Sequence, residues 1–214
     1  MAREARIGVR AERTRAAILE AAEALFAERG FASTRLEDVA ERVGIRRASI
    51  VYYFRDKREL YEAVLGSVFG GLFEVLEEAI SGPEPLPLRA EAAVSGWVDY
   101  VGRRPSVARI VLREAADAGR DHSPPLLRHT QPFFDLIRAQ IFHREEPGRA
   151  NRSPFETVQI ASTIVGATVF LVAAMPTLVP ELEIEPIKPE HLRAHRDELL
   201  RIVRRLLDTR GKQA

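Results

Sequence analysis

Cysteine is absent from the 214-residue chain, tryptophan occurs once and methionine twice. Without thiols there is no disulfide, thiolate zinc site, iron–sulfur cluster or cysteine nucleophile. That fits a reducing compartment, and a cytoplasmic location is expected. The first residues lack an apolar run and carry Arg3, Arg6, Arg10 and Arg13, which argues against a secretory signal. One uncharged stretch stands out, residues 158–175, but Gln159, Ser162, Thr163 and Thr168 interrupt it and Pro176 follows. At 18 residues it is near the short limit for crossing a bilayer. It reads as a helix buried in a bundle or dimer seam, with a membrane-associated protein as the rival. No membrane partner is expected.

An excess of charge of one sign is also missing. Lys+Arg is 32 and Asp+Glu is 31, a net +1, which argues against a polycationic tail. The charge is unevenly placed. Residues 1–60 hold 13 basic and 10 acidic side chains (+3), and the remainder 19 and 21 (−2). The densest excess lies between Gly44 and Arg58, where Arg46, Arg47, Arg55, Lys57 and Arg58 meet only Asp56.

What is present is helix after helix; no segment shows clean strand alternation. Residues 14–29 place Ile18, Ala21, Ala22, Leu25 and Phe26 at helical spacing, and Gly30 reads as a left-handed cap. Thr34 and Glu37 form a capping box for a short helix over 35–43, stopped by Gly44. A second short helix runs over 47–54, with Ile50 and Phe54 facing inward. Asp56 with Glu59 then caps a long helix over 57–80, in which Gly70 and Gly71 are points of bending. The run 81–87, rich in proline, is the clearest break. Further helices are expected over 88–102, 105–118, 124–144, 154–175 and 189–209, with Pro105, Pro124 and Pro154 at first helical positions.

Two short helices joined by a tight Gly-containing turn are the helix-turn-helix arrangement, whose second helix enters the DNA major groove. Arginine pairs bidentately with guanine, and Ser and Tyr hydroxyls reach phosphates. On this evidence alone two readings stand: a DNA-reading helix, or a helix stop followed by a solvated basic face.

The stretch from Gly30 to Ile45, Gly-Phe-Ala-Ser-Thr-Arg-Leu-Glu-Asp-Val-Ala-Glu-Arg-Val-Gly-Ile, resembles the DNA-binding region of the tetracycline-repressor (TetR) family. So do its continuation to Tyr53-Phe54 and Asp56-Lys57-Arg58-Glu59-Leu60, and the preceding Ala24-Leu25-Phe26-Ala27-Glu28-Arg29. The resemblance covers about residues 14–65. It implies an all-α homodimer, with a three-helix DNA-binding domain over 1–65 and a ligand-binding and dimerisation bundle over 66–214. By that resemblance Thr34 and Arg35 touch phosphate, Arg47, Ala48 and Ser49 read bases, Tyr52 and Tyr53 pack on sugar and phosphate, and Lys57 contacts phosphate. Three departures matter. Arg46 stands where the family often has an N-capping Ser, Ala48 where Gly is common, and Val51 where a Tyr commonly precedes. Arg46 loses a cap worth about 1 kcal/mol but adds a cation at the DNA surface. The N-terminal arginines read first as a disordered leader, with an arm along the DNA backbone or minor groove as the alternative.

Beyond residue 88 the resemblance is one of plan only. Candidate pocket residues are Trp97, Tyr100, Arg109, Arg113, Phe133, Phe134, Ile137 and Phe170. The competing readings are plain core packing for each aromatic and ion pairs with Glu114 or Asp117 for the arginines. His122 and His129 near Asp117 and Asp121 lack regular metal-ligand spacing. Neither a metal nor a cofactor is expected. The helices over 154–175 and 189–209 are the candidates for a four-helix dimer seam, against an intrasubunit core. The expected function is a ligand-responsive transcriptional regulator, a repressor released from a palindromic double-stranded DNA operator by a small-molecule effector. The helix over 57–80 is its natural transmitter. An enzyme is not expected, because no catalytic constellation occurs at usable spacing.

Overall fold

A computed structural model describes residues 2–117, 125–137 and 154–208. Among them the regular elements are all helical: α1 (Ala2–Ser33), α2 (Leu36–Val43), α3 (Arg47–Tyr53), α4 (Lys57–Ser81), α5 (Leu86–Arg103), α6 (Ser106–Asp117), α7 (Pro125–Ile137), α8 (Pro154–Ala173), α9 (Met175–Leu178) and α10 (Pro189–Asp208). A 3-10 turn, Pro180–Leu182, follows α9. The chain divides into two compact units, Met1–Val68 and Phe69–Ala214, with the division inside α4.

In the first unit, α1 presents Ile18, Ala22, Leu25 and Phe26 to a core completed by Val39 of α2, Ile50 of α3, Phe54, and Leu60 and Val64 of α4. The expected helical spacing therefore does what it implied. The start of α1 does not: it begins at Ala2, so a disordered leader is corrected to a helix. Ala, Arg and Glu, among the better helix formers, dominate that segment. Gly30 interrupts α1 with φ 80° and ψ 170°, a positive-φ break and not the expected left-handed cap. Helical geometry then resumes as far as Ser33.

The start of α2 also differs. Arg35 is its N-cap, and the Arg35 backbone N–H donates to Asp38 Oδ2 at 3.0 Å. The box is therefore shifted one residue from Thr34 and Glu37. The cause is that Thr34 is fully buried, with its hydroxyl donating to the Gly30 carbonyl at 2.8 Å. The second box forms as expected at its core: Glu59 N–H donates to Asp56 Oδ1 at 2.8 Å, and the Glu59 carboxylate accepts from Arg55 N–H. That capping bond holds the Asp56 carboxyl below the usual aspartate range, with the Arg55 side chain adding to it.

In the second unit α5 is the organising helix. Val98 and Val101 are fully buried, and close approach is bought with glycine on both sides. A Cβ on Gly96 would lie 2.9 Å from Val75 Cγ1, and one on Gly102 would lie 2.6 Å from Leu192 of α10. A Cβ on Gly71 would lie 2.9 Å from Tyr100 Oη, so Gly71 makes room for that ring. Charges fasten α10 to α5: Arg196 Nη2 to Asp99 at 2.6 Å, and Arg204 bidentate to Glu91 at 2.9 and 2.6 Å. On α8, Thr168 is fully buried and meets His195 Nε2 of α10 at 3.0 Å. Prolines sit near helix starts, but α6 begins one residue after Pro105 and α7 at Pro125. Pro87 is inside the first turn of α5, where its missing N–H costs nothing. Residues 138–144, expected to be helical, lie outside the described residues. Among the described residues no helix is long and apolar enough to cross a membrane.

Gly44 sits in the left-handed region (φ 75°, ψ 32°) with open space around it. Gly44→Ala therefore costs roughly 1–2 kcal/mol through backbone strain alone. Urea unfolding measures it, and an unshifted midpoint would contradict the reading. Burial lowers the His195 pKa below the ordinary 6.5. As pH falls the unfolded chain takes up the proton first, so this contribution is complete above about 6.5 and is lost as pH drops through the folded value. His195→Gln, which can still donate to Thr168, flattens that part of the stability–pH curve. Identical acid limbs for both proteins would count against it.

Candidate nucleic-acid interface and apolar cavity

The turn between α2 and α3 is fixed by its backbone. Ile45 N–H donates to Ala40 O at 3.0 Å and Gly44 N–H to Glu41 O at 3.1 Å. These are the paired bonds of a Schellman motif, and they satisfy the last carbonyls of α2 while turning the chain sharply. Ile50 is fully buried and anchors α3 from below. The opposite face carries the expected residues. Arg46, Arg47 and Ala48 are exposed and Ser49 is half-buried. Arg46 is the N-cap of α3 and provides no side-chain capping bond, as its chemistry requires.

Tyr52 is 83% exposed and meets the Tyr53 ring edge-on at 5.2 Å. A tyrosine that open contributes almost nothing to the core. Arg47 Nε lies 2.7 Å from Glu37 Oε1, bridging α3 to α2. Both side chains are largely exposed, so the pair is worth at most about 1 kcal/mol and is easily exchanged.

Lys57 and Thr34 carry packing roles that the sequence did not reveal. Lys57 Nζ donates to the carbonyls of Phe31 and Ala32 at 2.8 and 3.2 Å and lies 4.4 Å from the Phe31 ring centroid. Thr34, fully buried, presents no hydroxyl to solvent. Any contact made at Thr34 runs through backbone or through exposed Arg35.

The second unit holds a cavity of about 420 Å³. Its walls are almost wholly apolar, drawn from α4, α5, α6, α7, α8 and α10. The structure brings Trp97, Phe133, Phe134 and Ile137 to this wall. Tyr100 is buried but off the wall, with its Oη accepting from Arg104 Nη1 at 3.2 Å. Arg109, Arg113 and Phe170 are exposed and do not line the cavity. Arg109 and Arg113 occupy the outer face of α6, because Val107, Ala108 and Ile110 take the inner one.

Of the irregularly spaced His and Asp residues, His129 stacks on the Phe69 ring at 6.5 Å, whereas Asp121 and His122 lie outside the described residues. Sequence reasoning missed Arg89. It is 5% exposed and lines the cavity. The signal was available: Arg89 falls in the helical stripe Leu86, Ala90, Ala93, Trp97, where a charge is out of place.

Residues 18–64 match the family model described as bacterial regulatory proteins, tetR family. The chain is 48% identical over 58 residues to the HTH-type transcriptional regulator TtgR of Pseudomonas putida, a match covering 27% of this chain and 28% of that one. The whole chain is similar in structure to a TetR family transcription regulator from Marinobacter aquaeolei, with TM-score 0.68 and 18% identity, over 90% of this chain and 96% of that one. It is also similar to AibR, solved in complex with isovaleryl coenzyme A and operator DNA, with TM-score 0.67 and 14% identity, over 88% and 97%. At such identities these structures establish the fold of both units. The N-terminal segment over residues 18–64 thus matches the tetR family of bacterial regulatory proteins, and the fold of the chain is that of solved TetR family regulators.

Proposed function

We propose that the protein is a ligand-responsive transcriptional regulator of the repressor type. A homodimer would place α3 of each subunit in successive major grooves of a palindromic operator, about 34–36 Å apart. The observation that carries the reading is the exposed set Arg46, Arg47, Ala48 and Tyr52 on a helix fixed by a Schellman turn and a buried Ile50. Arg47 reads bases, Arg35 and Arg46 meet phosphate, and Ser49, Tyr52 and Tyr53 complete the surface. The reported complex of AibR with both an acyl-coenzyme A and operator DNA supports a ligand acting on DNA affinity. The apolar cavity is the place for such a ligand here.

The dimer seam is assigned to residues 154–175 and 189–209. Its support is the outward face of α8, where Val158, Ser162, Gly166 and Phe170 follow one another at four-residue spacing without a charge. Val158 and Phe170 are each about half exposed, an arrangement suited to close helix pairing.

Selection of bound fragments from random DNA tests the reading: recovery of a two-fold motif is expected, and recovery of no preferred sequence sinks it. Arg47→Ala relaxes choice at one operator position and costs about 1–3 kcal/mol on the preferred site. Lys57→Ala weakens all sequences by a similar factor and lowers the salt slope by about 1. Its loss of the bonds to Phe31 and Ala32 lowers the thermal midpoint as well. Gel-shift titrations on a panel of mutated operators separate the two variants. A sequence-independent loss for Arg47→Ala would reverse the assignment.

A further inference from the structure

The cavity of the second unit is unusual in what its polar groups lack. Arg89 is 5% exposed, yet no carboxylate lines the cavity among the described residues. Its Nη1 donates to the Ile80 carbonyl at 2.6 Å, in the last turn of α4. Its Nε is buried without any hydrogen-bond partner. Two helical turns further along the same face of α5, Trp97 Nε1 is buried and equally unpartnered. The other polar side chains on the wall, His129 and Thr130, are already engaged.

A buried guanidinium without a counter-charge is expensive, and so is a buried donor without an acceptor. The unmet groups on this wall are therefore donors only. A ligand that satisfies them must bring acceptors, and beside a fixed cation the best acceptor is an anion. The remaining surface, with Leu72, Phe133, Ile137 and Ile164 among its residues, asks for hydrocarbon. The volume of about 420 Å³ lies at the small end of ligand pockets, which favours a compact molecule.

We infer that the cavity takes an apolar carboxylic acid as its anion, with the carboxylate on the Arg89 guanidinium, the hydrocarbon body against the aromatic and aliphatic wall, and the Trp97 indole N–H meeting an oxygen of the ligand. This rests on the reading of the cavity as the effector site and adds the ligand's chemical class. It excludes cationic amphiphiles, which would set a second positive charge beside Arg89 in a medium that screens poorly.

The test compares three probes of equal chain length on the full-length protein by isothermal calorimetry: decanoate, methyl decanoate and decylamine. Wild type is expected to bind decanoate about tenfold or more tightly than the ester, and the amine most weakly. Arg89→Met removes the preference for acid over ester while still binding the ester. Arg89→Lys, which keeps the charge, retains the preference at reduced strength.

A purely structural Arg89, serving only to cap α4 at Ile80, gives a different result. The variants then lower the thermal midpoint but leave the acid-to-ester ratio at its wild-type value, and that overturns the inference. Tighter binding of decylamine than decanoate overturns it as well, and so does failure of all three to bind. Selection of DNA fragments by the unliganded protein is run in parallel. An operator recovered without acid binding defeats the ligand class alone, whereas no operator defeats the regulator reading beneath it.

Discussion

The free carbonyls at the end of α1 are the constraint on which the first unit depends. A helix C-terminus leaves its last carbonyls without intrahelical donors. Here the Thr34 hydroxyl serves Gly30, and the Lys57 ammonium serves Phe31 and Ala32. Because Thr34 introduces α2 and Lys57 opens α4, the same bonds pin both helices to α1. Phe31 adds apolar area to the junction, lying against the rings of Phe26 and Tyr61. With α1, α2 and α4 held in this way, α3 has only to be hung correctly from Gly44 and Ile50. A helix of seven residues could not hold its shape alone, since isolated helices of that length are not stable in water. Its rigidity is borrowed from its neighbours.

A different economy governs the second unit. Its helices approach closely where glycine removes a side chain, at Gly71, Gly96 and Gly102, and separate where large residues face one another across the cavity. Trp97, Phe133 and Phe134 lie on those walls. Arg89 ties α5 to the last turn of α4 through Ile80, so a group that faces the cavity also terminates a helix. Any molecule that competes for the guanidinium therefore also acts on a packing contact, and under the proposed effector role that contact is where a ligand could favour one conformer over another.

The fold was legible to the extent that it is written in periodicity. The helices α2, α3, α4 and α10 lie within a residue or two of the expected bounds, since each combines an apolar stripe with a stop or start residue. Capping was less legible. Thr34 and Glu37 have the spacing of a box, but the hydroxyl of Thr34 is spent on α1, a tertiary demand that local sequence does not display. Proline placed the starts of α6 and α7 only to within a residue, because it is tolerated both at and just before the first turn. The cavity was half legible. Trp97, Phe133, Phe134 and Ile137 are bulky and apolar, and such residues line it. Arg109 and Arg113 lie four apart beside the apolar face of α6, and both are exposed, as the ion-pair reading of them implies. Arg89 emerges from a different question, namely which charge interrupts an apolar stripe.

The bridge between Arg47 and Glu37 shows how the face proposed to meet DNA can be both ordered and available. At 2.7 Å the contact is close, yet each partner is more than half exposed, so water competes for both. A buried pair in this position would hold the arginine too firmly to release it, since breaking such a pair strands a charge. An unpaired arginine would instead lose its rotamer freedom only on meeting DNA and would carry that entropy as a cost of binding. The exposed pair lies between these extremes. It biases the guanidinium toward one side of α3 at little energetic cost and leaves it exchangeable to any partner that desolvates it better.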